Sequence, residues 1–155
     1  MATGIPGIQL RRLLFGHKVD RATATLPQTA TGSIFTVSGG RVLVTGLLGE
    51  VTTAIGGTAT TLTVVSTPTT GTATTLASAT AITSKEVGAQ CTLPLTSGSA
   101  LVVVNGGGGG QLPGHAGYVV PVGNLQITTS ASTTGSIKWS LTYVPLDDGA
   151  SVTAA

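Results

Sequence analysis

Charged residues are scarce in this sequence, and that scarcity excludes several classes of function. Only 8% of residues are charged, against about 25% in a typical domain. Enzymes depend on ionisable groups with tuned pKa values, often several in one pocket. The chain has two histidines and five carboxylates, which are Asp20, Glu50, Glu86, Asp147 and Asp148. We therefore expect no enzymatic activity and predict no catalytic residue.

Groups that could hold a metal or a cofactor are also few. A single cysteine, Cys91, excludes an intrachain disulfide and a cysteine-based metal site, and its setting predicts a buried structural thiol in a strand. Neither His17 nor His115 has a second His or a Cys at metal-ligand spacing. We predict no metal and no cofactor.

Two further motifs are incomplete or ordinary. The five glycines at 106–110 are followed by Gln-Leu-Pro, whereas a phosphate-binding loop ends in Gly-Lys-Ser/Thr and continues into a helix. We interpret this segment as a surface loop. The pair Asp147-Asp148 precedes Gly149, a pattern typical of a turn cap and too poor in oxygen donors for a calcium site.

Long apolar runs are missing as well. No run approaches the roughly 18 residues that a membrane-spanning helix needs. Arg11 and Arg12 interrupt the segment in which a secretory signal would have its apolar core. We expect no membrane partner and predict synthesis in the cytoplasm without export.

What the sequence does contain is typical of β structure. It is rich in Thr and Val, which are β-branched and favour strands, and it has 23 glycines to form turns. Short β-rich runs alternate with turn signals at spacings of roughly 8–12 residues. The pattern predicts an all-β fold, an antiparallel β-sandwich or a jelly-roll-like barrel. We divide the chain into an extended basic N-terminal arm (1–21), a single β domain (22–150) and a short C-terminal tail (151–155).

Four segments of the β domain carry specific predictions. Runs at 33–37 and 41–45 flank Gly39-Gly40 and indicate a hairpin, and 60–66 is expected to pair with 72–77 across a Pro/Gly turn. The apolar run at 100–104 indicates a central strand. In 137–144 the residues alternate, which places four large side chains in the core: Ile137, Trp139, Leu141 and Tyr143.

The positive charge is concentrated in the N-terminal arm. Four of the seven basic residues lie there, namely Arg11, Arg12, Lys18 and Arg21. Residues 8–15 fit either a short helix or an extended segment. We interpret the four side chains as a partner-binding site for an acidic surface, with a flexible solvated tail as the alternative. The body has no basic stripe with interleaved aromatics, so we expect no nucleic-acid partner. A weak contact of the four basic side chains with DNA is the alternative.

A surface with so few charges is poorly protected against association. We therefore expect much of it to be covered by other subunits. The alternative is an extracellular domain with a neutral surface.

Part of the chain resembles a known group of proteins. The stretch Val-Val-Pro-Val-Gly-Asn-Leu-Gln-Ile-Thr-Thr-Ser-Ala at 119–131, with Thr-Gly-Ser-Ile-Lys-Trp-Ser-Leu-Thr-Tyr-Val-Pro-Leu-Asp-Asp-Gly-Ala at 134–150, resembles small virion proteins of tailed bacteriophages. Ser-Thr-Pro-Thr-Thr-Gly at 66–71 and Lys-Glu-Val-Gly at 85–88 are similar to the middle of the same proteins. The resemblance covers residues 60–150.

This resemblance implies a structural role on a phage particle. Such proteins are commonly capsid decoration, head-fibre or minor capsid proteins, often homotrimers that bind the major capsid protein, and they carry no cofactor. The expected location is the virion, at the head surface. The alternatives are a phage tail tube, tip or fibre subunit, or a carbohydrate-binding β-sandwich module.

Overall fold

The computed structural model describes residues 4–112 and 116–155 and is an antiparallel β-sandwich. One helix, α1 (Gly7–Phe15), precedes eleven strands in the described residues. The strands are β1 (His17–Thr25), β2 (Thr31–Ser38), β3 (Val42–Thr53), β4 (Thr61–Pro68), β5 (Thr74–Ala81), β6 (Gln90–Thr92), β7 (Val102–Val104), β8 (Tyr118–Val120), β9 (Gly123–Thr129), β10 (Ser136–Pro145) and β11 (Ser151–Ala154). The prediction of an all-β antiparallel sandwich is confirmed.

The strands form two sheets. Sheet A has the order β1-β10-β3-β6-β7, and sheet B has the order β11-β2-β9-β4-β5. Strand β3 is the longest and lies at the centre of sheet A. It pairs with β10 along one side, and with β6 and β8 at successive parts of its other side. Sheet A therefore depends on β3 more than on any other strand.

The core lies between the sheets and follows the alternation of the sequence. In β10 the buried side chains are Ile137, Trp139, Leu141 and Tyr143, as predicted. The opposing layer from sheet B includes Phe35, Leu62, Val64, Leu125 and Ile127, all buried. Burying a large apolar side chain contributes roughly 1.5–3 kcal/mol, so this interior supplies most of the driving force for folding.

Trp139 occupies a space that only glycine can leave open. It is fully buried and is the register partner of Gly49 in β3. A Cβ at position 49 would lie 2.6 Å from Cζ3 of the indole. The glycine therefore allows the ring to pack directly against the backbone of the neighbouring strand.

Both seams between the sheets are bridged. On one side, Ser78 of β5 donates its N–H to the carbonyl of Ser99 and accepts the N–H of Leu101, just before β7. On the other side, Arg21 of β1 donates Nε–H to the Ala155 carbonyl at 3.0 Å, next to β11. The sandwich is thus tied at its edges as well as through its core.

Two local predictions within the β domain are wrong. The runs around Gly39-Gly40 do not form a hairpin, because β2 pairs with β9 and β11 in sheet B while β3 lies in sheet A. A glycine turn can connect two strands of different sheets as well as two strands of one hairpin. The sequence pattern around the turn is the same in both cases. The run at 100–104 is also not central: β7 is a short, half-buried edge strand. By contrast, the pairing of β4 with β5 is confirmed.

The structure also differs from the predicted segment boundaries. The described part of the predicted arm, residues 4–21, is not an extended arm: α1 is followed by β1, which begins at His17 and pairs with β10. The sequence analysis missed β1 because of its charged residues, although charged residues are common in edge strands. The predicted tail contains β11, which pairs with β2 and buries Val152. In such a short segment, one buried valine is a weak signal.

We expect Gly49→Ala to lower the free energy of unfolding by about 1–3 kcal/mol, because the added methyl group forces the Trp139 ring to move. Urea denaturation followed by tryptophan fluorescence measures the effect. Gly57→Ala is the matched control, since its Cβ would meet only the Ser84 hydroxyl, at 3.9 Å. Equal stability of the two variants would contradict the close packing of Trp139 on Gly49.

Candidate functional site

Helix α1 lies outside the core of the sandwich. None of its residues is buried. It contains good helix formers (Gln, Leu and Arg) between Pro6 and Gly16, so the local sequence favours a helix there. Pro6 precedes the first turn, and Gly16, at φ 85°, donates its N–H to the Arg12 carbonyl and ends the helix. Of the two possibilities left open for residues 8–15, the structure has the helix.

The apolar side of α1 faces away from its own domain. Leu10, Leu13 and Leu14 follow the i, i+3, i+4 spacing of one helix face and are 45%, 71% and 45% exposed. A surface helix normally turns such a stripe toward the core. We call these three residues the leucine stripe.

The opposite side of α1 forms a cleft with sheet A. The cleft has a volume of about 230 Å³. Its lining combines basic and apolar side chains with a threonine: Ile8, Arg11, Arg12, Phe15, Gly16, Lys18 and Thr142. Three of the four predicted binding residues therefore converge on one cleft, which we call the basic cleft.

The end of α1 is anchored at a β-bulge. Thr142 of β10 pairs with Gly46 while Tyr143 pairs with Val44, which leaves Thr45 as the extra residue. The Thr45 hydroxyl donates to the Phe15 carbonyl at 2.5 Å and lies 2.9 Å from the Thr142 hydroxyl. The bulge therefore aims a polar group at the helix end.

Gly16 is required at this junction. Its positive φ is unfavourable for other residues, and a Cβ there would lie 2.0 Å from the Tyr143 carbonyl oxygen. The chain thus passes from α1 into β1 in close contact with β10, which fixes the position of the helix end.

The four predicted basic residues have different environments. Lys18 forms an ion pair with Asp20, with Nζ 2.8 Å from Oδ1. Arg21 lies on the opposite face of β1, where its Nε–H donates to the Ala155 carbonyl. Its side chain therefore does not line the basic cleft. The side chains of Arg11 and Arg12 make no hydrogen bond or ion pair with residues 4–112 and 116–155. Strand alternation separates Arg21 from the others, which the charge count alone does not reveal.

The carboxylates of the chain, in contrast, are mostly engaged. Asp20 binds Lys18 and accepts the Ser140 hydroxyl, and these two contacts hold the pKa of its carboxyl below its usual range. Glu50 pairs with Lys138 at 3.1 Å, and Glu86 accepts the Gly106 N–H. Within the described residues little negative charge remains to balance Arg11 and Arg12.

An apolar strip continues from α1 across the outer face of sheet A. Val144, Leu43 and Val119 are direct register partners in β10, β3 and β8, and the two valines are exposed. Val144 also adjoins Gly16 at the helix end. We call the leucine stripe, the basic cleft and this strip together the docking surface. The sequence analysis missed the strip because its members come from three distant segments.

Candidate chemistry elsewhere in the described residues is limited. No group of three or more His, Cys, Asp or Glu there could hold a metal ion. Cys91 is buried in β6, as predicted, and burial raises the pKa of its thiol to about 12, so it stays protonated. His115, with the adjoining Pro113 and Gly114, lies outside the described residues. Among the described residues, no helix is long and apolar enough to cross a membrane.

Asp147 joins two turns. Its carboxylate accepts Nε–H and Nη2–H of Arg41 at 2.9 and 2.8 Å, and the backbone N–H of Arg41 at 2.7 Å. These bonds lower the pKa of the Asp147 carboxyl to about 2 and raise the pKa of Arg41. The predicted turn cap therefore also fixes the end of β10 to the start of β3.

Comparisons with known proteins identify no family for this chain. No family model matches it, and no curated protein matches it. One solved structure, of the infectious bursal disease virus Gx strain, matches 88% of this chain with 14% sequence identity and a TM-score of 0.23. The match spans 33% of the viral chain. At this TM-score it carries no conclusion about fold or function.

We expect the contact of Asp147 with Arg41 to make stability depend on pH in the acid range. Because folding lowers the pKa of this carboxyl from 3.8 to about 2, its stabilisation is complete only above about pH 5. It is lost as the pH falls through 2. The difference in Tm between the wild type and Asp147→Asn should therefore shrink between pH 5 and pH 2.

Asp148→Asn is the control for this measurement, because Asp148 makes no ion pair within the described residues. A difference in Tm between the wild type and Asp147→Asn that stayed constant from pH 5 to pH 2 would contradict the assigned contact.

Proposed function

We propose that this chain is a non-enzymatic structural protein of a tailed-bacteriophage particle. We infer that it is a capsid decoration or minor head protein, made in the host cytoplasm, that binds and stabilises the major capsid lattice. The resemblance of residues 60–150 to small virion proteins supports the assignment to a phage particle. The single observation that carries the docking role is the leucine stripe, which α1 presents away from its own core.

The helix needs a partner on energetic grounds. An isolated helix shorter than roughly 12–15 residues is marginal in water, and α1 has nine. Its fixed end at Gly16 supplies one anchor, while no leucine of the stripe is buried against its own domain. Burying three leucines in a groove would contribute on the order of several kcal/mol. Insertion of an amphipathic helix into an apolar groove is a common mode of protein recognition.

The charges on α1 indicate what kind of groove on a partner protein would accept the helix. Arg11 and Arg12 have no partner among the described residues, while four of the five carboxylates already bind within the chain. A second copy would offer little beyond Asp148. The partner is therefore a different protein with an apolar groove flanked by acidic side chains, which we assign to the major capsid protein.

The strand order supports a jelly-roll form of the sandwich. One sheet contains β1-β10-β3-β6 and the other β2-β9-β4-β5, so each alternates strands from the two halves of the chain. This interleaving is expected when a long antiparallel ribbon folds over into two sheets, the architecture of many capsid domains.

The distribution of aromatic residues argues against a carbohydrate-binding module. Such modules need exposed aromatic rings, but Trp139, Phe35, Tyr118 and Tyr143 are buried. Phe15 is the exposed aromatic side chain among the described residues and lines the basic cleft. A tail subunit has no specific observation in its favour, and the position of the protein in purified particles distinguishes it from a head protein.

We expect the purified protein to self-associate, because its poorly charged surface gives little repulsion between copies. The resemblance to small virion proteins implies that the oligomer is a homotrimer. Light scattering coupled to size-exclusion chromatography over a range of concentrations measures the mass. A constant monomer mass at every concentration would remove self-association from the proposal.

We expect Leu13→Asp to reduce binding to capsids assembled without this protein by at least about tenfold, because it puts a charge into a stripe that docking would bury. Co-sedimentation measures the occupancy. Val87→Asp is the control, since Val87 is 60% exposed and adjoins Gly88, whose N–H binds the Val51 carbonyl at the opposite end of β3 from Thr45. Circular dichroism checks that both variants fold.

The double variant Arg11→Glu with Arg12→Glu tests the charge of the groove and should lose binding even at moderate salt. Two outcomes would overturn the docking role: unchanged occupancy of the Leu13 variant, or equally strong binding of the wild type to anionic phospholipid vesicles. Absence of the protein from purified particles would overturn the virion assignment itself.

A further inference from the structure

Two loops meet at a pair of residues that the docking surface does not use. Lys85 and Glu86 lie in the turn after β5, and Asn105-Gly106 begins the glycine loop after β7. Lys85 Nζ donates to Asn105 Oδ1 at 3.2 Å, and Glu86 Oε1 accepts the backbone N–H of Gly106 at 3.2 Å. A cation thus contacts the amide carbonyl of the asparagine, and an anion contacts the N–H that follows it.

These four groups match the needs of one reaction. The backbone nitrogen after an asparagine can attack the side-chain carbonyl and close a five-membered imide, and glycine at that position offers no side chain to hinder closure. Negative charge develops on Oδ1, where the Lys85 ammonium lies. The proton lost by the Gly106 nitrogen has the Glu86 carboxylate as its acceptor.

We propose that Asn105-Gly106 is a site of self-modification, in which Lys85 and Glu86 promote conversion of Asn105 to a succinimide. The Gly106 N–Cγ bond of Asn105 forms as the Gly106 proton passes to Glu86. The Cγ–Nδ2 bond then breaks, and Nδ2 leaves as ammonia with that proton. Water later opens the imide, which yields aspartate or isoaspartate at position 105. No oxidant or reductant is needed.

The surroundings accept the product. Asn105 is exposed, and a Cβ at Gly107, Gly108 or Gly109 would meet nothing within 4 Å, so the loop has room for a changed backbone. In the aspartate product the new carboxylate takes the place of the amide that Lys85 contacts, so an ion pair replaces the contact with a neutral amide. Each converted chain therefore differs by one negative charge at the stem of this loop.

The second asparagine of the chain serves as an internal control. Asn124 accepts the Thr36 hydroxyl at 2.9 Å and precedes the buried Leu125 in β9. Neither a cation nor a carboxylate contacts this pair in the described residues. We expect Asn124 to stay unmodified under conditions in which Asn105 reacts.

Incubation of the purified protein at neutral pH, with peptide mass spectrometry and ammonia release as readouts, tests the proposal. Lys85→Met and Glu86→Gln should each slow conversion of Asn105 by on the order of tenfold, because both contacts are exposed. General acid–base groups typically contribute roughly a hundredfold to ten-thousandfold. Lys138→Met, which removes a lysine paired with Glu50 on another face, should leave the rate unchanged.

Three results would overturn the inference. The first is conversion at the same rate in all variants and in the urea-unfolded chain, which would make the reaction a property of the dipeptide alone. The second is no conversion of Asn105. The third is a cross-linked peptide with a bond between Lys85 Nζ and Asn105 Cγ, which would make the lysine the nucleophile. None of these results would affect the docking proposal, whose residues are separate.

Discussion

The pairing of β3 with β10 is the interaction on which the rest of the structure depends. It unites the longest strand with the strand that carries the largest core residues, and Trp139 lies directly on Gly49 within it. Strand β1 joins sheet A through β10, and β6 and β8 join it through β3. The bulge at Thr45 in the same pair positions the end of α1. Core packing and the placement of the docking surface therefore share one origin.

The sparse charges of this protein are used in a particular way. Half of the charged residues are neutralised in local ion pairs, Lys18 with Asp20, Arg41 with Asp147 and Lys138 with Glu50. Such exposed pairs contribute little stability individually. Their consequence is that few charges remain unbalanced, and among the described residues Arg11 and Arg12 are two of these. The body is nearly neutral, and α1 carries two unbalanced cations next to its leucine stripe. Attraction to an acidic partner is therefore confined to this part of the surface.

How far the sequence predicts this structure depends on the range of the interactions involved. The alternation in β10 and the β4–β5 hairpin were predictable, because period-two patterning and turn residues act over short separations. The identity of the partner of β3 was not, since β2 and β10 both have one apolar face and only the complete core selects between them. For the docking surface, Arg11, Arg12 and Lys18 were visible as a charge cluster. The direction of Arg21, the outward turn of the leucine stripe and the contribution of Val119 all depend on tertiary placement.

The bridged seams of the sandwich bear on how the protein behaves at high local concentration. An open strand edge is a template onto which further chains can add without limit, and a surface with little charge offers weak repulsion against that process. Here the backbone groups of Ser78 are occupied by residues before β7, and Arg21 spans the gap on the other side. Strand addition is therefore blocked at Ser78, and the Arg21 contact holds β1 beside the end of β11. Copies of the chain can come together through side chains while each sandwich stays closed.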